Sequence, residues 1–404
     1  MSAIRSADLA GILDSRGNLT VEATLSLDSG ASGRAGAPSG ASTGAHEVSA
    51  FPRGGVPEAV SRFRSLVAPR LIGLNAWDQA AVDRCLAEVD GTSQFSKIGG
   101  NTATAVSVAN ALAVASETGR PLYEVLRRPD VKGTRFPAVV GNCLNGGRHA
   151  IGGPEFQEFL AFAEGRTIDE SIRAAIDVHR RIGAELRRRF PTAALGRGDE
   201  GGWVAPVTSV DGLEILVGAC TASRDELGIE VYPGLDLAAS EFFEKGRYHY
   251  RDRSLDPAGQ VQFVTDLVER YGIRYVEDPF DQEAFEEFAQ LSSAVGRSTL
   301  VVGDDIYVTQ EPRVRRGLEA KASNAVLIKV NQVGTLSGAF ATVDYARTKG
   351  AHLIASHRSG ETPDSWLAHV ALGIGARGIK TGILGGERVA KLNELLRLAR
   401  AHGA

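Results

Sequence analysis

The sequence is poor in cysteine, has no long apolar run and carries no strong excess of one charge. Cys85, Cys143 and Cys220 are the three thiols of a 404-residue chain. They are odd in number and widely spaced, which argues against a disulfide framework and against a thiolate zinc site. Three reduced, mostly buried thiols in a cytoplasmic protein are the expectation. The opening stretch MSAIRSADLAGILDSRG holds no apolar signal core, and no segment is long enough to cross a bilayer. A formal net charge of −4 is too small to mark a nucleic-acid binder. No low-complexity tail is present, and no internal repeat beyond a strand–helix rhythm.

What is present describes an ordinary globular chain, 43% apolar and 23% charged. Its length exceeds what one core covers, so two domains are expected. Residues 19–28 alternate: Val21, Ala23, Leu25 and Leu27 face one side, and Thr20, Glu22, Thr24 and Ser26 the other. That pattern predicts a half-buried antiparallel strand. The Gly-, Ser- and Ala-rich stretch 29–44 is by composition a flexible linker; a mobile lid is the sharper reading. Residues 57–87 and 102–127 read as helices, the second rich in small residues that suit packing on several sides. Pro129 and the polar DVKGTR after it mark a boundary. The expected organisation is a small α+β domain over residues 1–130 and an α/β domain, an eight-stranded β/α barrel, over 131–404.

Five apolar runs in the second half each end in a residue suited to catalysis: GLDLAA (Asp236), YVEDP (Glu277), LVVGDD (Asp304), VLIKV (Lys329) and LIASHRSG (His357, Arg358). A sixth, GIKTG, ends near Lys380. From Asp236 onward the intervals are 41, 27, 25, 28 and 23 residues. A strand, a helix and two loops need roughly that length. Repeated β/α units suggest a parallel barrel whose strand tips share one mouth. Three hard carboxylates on successive tips suit Mg²⁺. Lys329 beside Lys380 and metal ions is expected to have a lowered pKa, which suits removal of a proton from carbon. Either lysine can instead hold a substrate carboxylate, or reach out to solvent.

Outside the barrel tips, residues 172–190 place Ile172, Ile176, Leu186 and Phe190 on one helical face. The basic run 187–189 is its solvated end. A helix starts near Thr335, and Asp364 is placed to cap the helix SWLAHVALG. SHRSG at 356–360 offers Arg358, Ser359 and backbone donors suited to a phosphate. GRGDEGG at 196–202 matches the GxGxxG dinucleotide pattern in letters only: Asp199 and Glu200 inside it would repel a pyrophosphate. Its glycines more plausibly free the backbone so that Glu200 projects into a pocket. NGGRHAIGGPEFQEF at 145–159 brings His149 and Glu158 onto another Gly-rich stretch.

Taken together, DSRGN, SGASTG, NGGRHA, QEF, GDEGG, LDLAASEF, VEDP, VGDD, LIKVNQVGTL, SHRSGET, IKTG and ERVAKLNELLR occur in order from near residue 10 to near residue 398. In these motifs the chain resembles the enolase family. A lysine base with Mg²⁺ is a known pattern of such sites. The resemblance implies that Asp236, Glu277 and Asp304 hold a first Mg²⁺ and that Ser42 ligates a second one, which comes with substrate. It implies that Lys329 takes the C2 proton of 2-phosphoglycerate and that Glu200, supported by Glu158, protonates the departing C3 hydroxyl. Lys380 would contact the substrate carboxylate, Arg358 and Ser359 its phosphate, while His149 and His357 line the site. A homodimer or larger homo-oligomer is also implied, with Arg16, Glu22 and the Arg388 region in segments that resemble dimer contacts; the alternative is intrachain bridging. No nucleic acid or membrane partner is expected.

The chain departs from the family's usual pattern in places. After SGASTGAHE a short FPRGGV replaces a longer run; Leu19 replaces a proline and His369 an aspartate. Trp203 and Val204 follow GDEGG, and TGILGGER is one residue short. The lid's surroundings differ most, and lids help select substrates. An enolase paralogue acting on a phosphonate, such as carboxyphosphonoenolpyruvate synthase of phosphinothricin-type biosynthesis, is therefore the second expectation. A non-catalytic scaffold is the third, disfavoured by the intact acid and base set.

Overall fold

The computed structural model describes residues 2–40 and 44–403. Three antiparallel strands open the chain: β1 (Ile4–Leu13), β2 (Leu19–Leu27) and β3 (Ser32–Gly36). β2 buries Val21, Ala23, Leu25 and Leu27 as its alternation predicts. β3 lies inside the stretch expected to be a linker or lid. The reason is close packing: a Cβ at Gly33 would stand 2.1 Å from the Ala109 carbonyl. The helix Gly100–Thr118 thus lies directly on the strand, and small residues are needed there for contact as well as for freedom. The same helix reaches the second half of the chain through Thr104 Oγ1, which donates to the Gly334 carbonyl at 3.0 Å.

The helix expected over 57–87 is broken. Gly55–Arg62 runs into a wide turn at Phe63–Val67 and a last turn at Ala68–Leu71. Pro69 lacks the N–H that would continue the ladder. After a bend, Asp78 accepts from the Ala81 N–H and starts a second helix, Gln79–Asp90. Asp364 does not cap its helix, which begins at Trp366. Its carboxylate accepts the Gly36 N–H at 2.6 Å and ties β3 to the second half of the chain. Trp203, one of the departures, packs on His179 at 5.4 Å and donates to the His179 carbonyl at 2.9 Å. His369, another, stacks on Tyr123 and lies 3.3 Å from Glu394.

Eight strands close the barrel in chain order: β4 (Ala138–Asn145), β5 (Glu158–Ala163), β6 (Val231–Asp236), β7 (Tyr275–Glu277), β8 (Leu300–Gly303), β9 (Ala325–Ile328), β10 (His352–Ser356) and β11 (Gly378–Gly382), which pairs back onto β4. One feature corrects the all-parallel expectation. β5 runs antiparallel to both β4 and β6. No long helix separates β4 from β5, and a parallel return needs a longer crossover. Two helices, Ile168–Arg189 and Ser209–Leu227, then fill the path to β6. Reversal puts the first residue of β5, Glu158, opposite Asp236 at the last position of β6. Glu158 therefore reaches the mouth formed by the C-terminal ends of the other strands.

The barrel interior is filled by apolar side chains that include Val140, Leu160, Phe162, Val302, Leu327 and Ile354. All three cysteines are buried and unpaired. Among the described residues, no helix is long and apolar enough to cross a membrane.

Candidate active site

Every sequence-predicted strand-tip residue lies at the same mouth. Asp236 and Glu277 end β6 and β7 in register, and Asp304 follows the end of β8. Lys329 follows β9, His357 follows β10, and Lys380 lies within β11. Ser42 lies outside the described residues. A compact pocket of about 20 Å³ is lined by His149, Glu158, Glu200, Asp236, Asp304, Lys329, His357, Arg358, Ser359 and Lys380, among others. That volume holds about one water molecule; the side chains have closed on one another.

Two lysines organise the acids. Lys380 Nζ lies 2.9 Å from Asp236, 2.8 Å from Glu277 and 3.3 Å from Glu158. Burial opposes its charge, but those three carboxylates outweigh it and hold Lys380 well above the usual lysine range. Lys329 Nζ donates to Asp304 Oδ2. Burial again opposes the charge, and Asp304 overcomes it, so Lys329 is raised. The nearest neighbour of Lys329 is an anion, and attraction to it dominates over repulsion from Arg358 and Lys380; the expected lowering concerns a lysine beside metal ions.

Carboxylates outnumber these two cations. Burial, and then Asp236 beside it, pushes Glu277 up to about 8. Asp305 is also pushed to about 8, by burial and then by Asp304. Asp278, raised still further by burial and Asp305, accepts the backbone N–H groups of Asp304 and Asp305 at 3.1 and 2.6 Å. Among the described residues, Asp278, Asp304 and Asp305 bring carboxylate oxygens within 4.8 Å of one another, and His149, Glu158 and Glu200 bring a ring nitrogen and two carboxylate oxygens equally close. Asp236 and Glu277 instead meet across Lys380. Glu158 Oε2 is buried with no hydrogen-bond partner among the described residues. Such crowded hard oxygens fit a divalent cation, which would relieve their mutual repulsion.

Glu200 occupies the other side of the pocket. It reaches inward from a tight hairpin in which Gly201 has φ +82° and a Cβ there would meet the Leu384 carbonyl at 2.3 Å. Asn142 Nδ2 donates to Glu200 Oε2 at 3.2 Å. His357 Nε2 lies 3.0 Å from the same oxygen, and His149 Nε2 lies 3.9 Å from Oε1. On its far side, His357 Nδ1 accepts from Arg388 Nη1 at 2.8 Å and from the Gly382 N–H at 3.2 Å. Two donors aimed at Nδ1 leave the proton on Nε2, which lies close to Glu200 without hydrogen-bond geometry. Burial, supported by Arg388 against Glu200, holds His357 down at about 4.

The two acids beside His149 diverge. Burial and then Glu200 push Glu158 well above the usual range. Burial works the same way on Glu200, but His357, His149 and Arg388 outweigh it and hold Glu200 well below. The surroundings thus favour the protonated form of Glu158 and the charged form of Glu200. Acids pushed apart in this way divide acid and base roles between them.

Arg358 presents its fork to Glu47, with Nη1 and Nη2 at 2.9 and 3.0 Å from the two carboxylate oxygens. Ser359 lies beside it, and its carbonyl accepts from Arg388 Nη2 at 2.6 Å. Sequence reasoning missed Glu47, Asp278 and Asp305, although each sits inside a quoted motif. For the Arg388 region it left two readings, a segment resembling dimer contacts or intrachain bridging. The arginine side chain is wholly buried and bonds within the chain to the backbone of Arg358, Ser359 and Asp199. Arg16 likewise pairs within the chain, with Asp199 at 2.9 Å.

Two family models match the chain. The one described as "Enolase, N-terminal domain" covers residues 4–126, and "Enolase, C-terminal TIM barrel domain" covers 134–404. Curated relatives are similar over nearly their full length. The Enolase of Methanothermobacter thermautotrophicus is 46% identical across 98% of this chain and 96% of its own. That of Methanosphaera stadtmanae is 44% identical across 98% and 97%. That of Natronomonas pharaonis is 44% identical across 98% and 99%.

Proposed function

Because the chain belongs to the enolase family of carbon–oxygen lyases, we propose that it interconverts 2-phosphoglycerate and phosphoenolpyruvate with Mg²⁺. The observation that carries this reading is the meeting of Lys329 and Glu200 in one pocket around a surplus of buried carboxylates. A proton next to a carboxylate is very weakly acidic, and its loss puts a second negative charge on that group. Asp236, Glu277 and Asp304, and at a second position Ser42, would hold Mg²⁺, which would supply the positive charge that stabilises that group.

The protein's own groups do the rest. Lys329 must be neutral before it can take the C2 proton, and its contact with Asp304 is what holds it charged. Separation from Asp304 is therefore the activating event. Lys380, which already gathers carboxylate oxygens, is suited to the substrate carboxylate. Arg358 grips a two-oxygen anion in Glu47 and is suited to a phosphate in the same way, with Ser359 beside it. Glu158 stores the proton that Glu200 must deliver to the C3 oxygen, with His149 between the two acids. His357 lines the same wall and keeps Glu200 oriented.

The same reading takes residues 1–130 as a capping domain on the 131–404 barrel, and the working form as a cytoplasmic homo-oligomer. The shared name of the relatives favours the phosphoglycerate; nothing in the geometry favours the phosphonate. Purified protein with Mg²⁺ and 2-phosphoglycerate should generate the ultraviolet absorbance of an enol product, and K329A should abolish it. No absorbance change from the intact chain, or full activity in K329A, overturns the proposal.

A further inference from the structure

The opposite end of the barrel carries a second concentration of charge, of the other sign. Five of the seven parallel strands are each preceded by an arginine. Arg135 comes before β4, Arg274 before β7, Arg297 before β8, Arg347 before β10 and Arg377 before β11. All five line one cavity of about 480 Å³ at the N-terminal mouth. The apolar filling of the barrel separates that mouth from the carboxylate pocket. In a chain of net charge −4, such a ring is a local inversion.

Two of the arginines are committed. Arg347 pairs with Asp130, and Arg377 with Glu164. Arg274 lies over the Tyr232 ring at 5.0 Å and donates to the Ser298 carbonyl at 2.9 Å, so its position is fixed while its charge has no carboxylate partner among the described residues. Arg135 and Arg297 are exposed on the rim and likewise have no carboxylate partner there. The positive field registers on His352, at the start of β10. Burial, and then Arg377 and Arg135, lowers its pKa, with Glu164 opposing.

We infer that the N-terminal mouth of the barrel is a second anion site, which binds a compact oligophosphate through Arg135, Arg274 and Arg297. The cavity has the size of a small-molecule site rather than of an extended track. Guanidinium forks arriving from separate loops match a tetrahedral polyanion with several oxygen faces better than a single planar carboxylate. The site is independent of the carboxylate pocket and of the reaction proposed there.

Tripolyphosphate titrated by calorimetry, without divalent cations, tests this. An R358Q background weakens anion binding at the upper mouth and isolates the lower one. Each such chain should bind one tripolyphosphate, more weakly as salt rises. Adding R135Q and R297Q should weaken binding about 100-fold, roughly tenfold for each charged hydrogen-bonding group removed. Both substituted arginines lie on the surface, so the melting temperature without ligand should not change. The same pair of substitutions in the otherwise intact chain gives a second comparison that does not depend on R358Q folding. No binding to R358Q and no difference caused by R135Q/R297Q in the intact chain would overturn the inference, as would saturation by a second copy of the chain in place of the anion.

Discussion

Arg388 Nη1 donates to His357 Nδ1 at 2.8 Å from a wholly buried position, and so decides which imidazole nitrogen carries the proton. Nε2, 3.0 Å from Glu200, then carries the hydrogen. A side chain 31 residues further along the chain sets the state of the pocket's acid.

Replacing Arg388 should therefore change catalysis through His357. In R388K and R388Q the turnover number should fall roughly 100-fold or more, the scale of a misassigned catalytic tautomer, with KM changed less. Nitrogen NMR of His357 gives a readout independent of turnover. The wild type should show protonated Nε2 and bare Nδ1 at neutral pH, and the variants a mixture. An unchanged tautomer would remove Arg388 from this role.

Acid stability should depend on the same ring. His357 titrates near 4 when folded against an ordinary value of about 6.5. Between those values the unfolded chain binds a proton that the folded chain refuses, so stability falls as pH falls through that window. Up to about 3 kcal/mol is at stake. Glu200, Arg388 and Glu361 act on this group, and only Arg388 favours its neutral form. Urea unfolding from pH 7.5 to 4.5 should show a shallower decline in H357Q than in the wild type; parallel declines would contradict the assignment.

Glu47 competes with any anion for Arg358. E47Q should take the bidentate carboxylate away from a buried guanidinium and lower the melting temperature, a loss on the scale of about 3–5 kcal/mol. Inorganic phosphate should restore much of that loss and bind E47Q roughly tenfold more tightly than the wild type. Equal phosphate affinity in both proteins would show that the pair does not guard the anion position.

Mg²⁺ should stabilise the fold as well as support chemistry. Burial and neighbouring acids, Asp236 for Glu277 and Asp304 for Asp305, raise both groups to about 8, and a cation bound only by the folded chain would relieve that repulsion. Differential scanning fluorimetry should show a melting temperature that rises with Mg²⁺ and returns with a chelator, and D236N should blunt the rise. A metal-independent melt would sink the assignment of these carboxylates.

Much of this geometry was legible because strand tips in a barrel share one mouth, so Asp236, Glu277, Asp304 and Lys329 could be grouped from spacing alone. The direction of β5 was not read, although the stretch from Asn145 to Glu158 is too short for a helical crossover and carried the signal. Arg388 was beyond pattern reasoning: a buried arginine on a C-terminal helix looks like any charged helical residue until its partners are known. Lys329 shows a different limit. Its surroundings in sequence said nothing of which charge would stand nearest. Gly33 shows a third, since a glycine required by close packing reads in composition like one required by freedom.

The plug of Val140, Leu160, Phe162, Val302, Leu327 and Ile354 makes the barrel an insulator rather than a conduit. Packed side chains leave no polar path of their own between the two openings, so a change of charge at the arginine rim reaches the acids through low-dielectric packing. The two faces can consequently be altered in turn, each against a fixed background at the other.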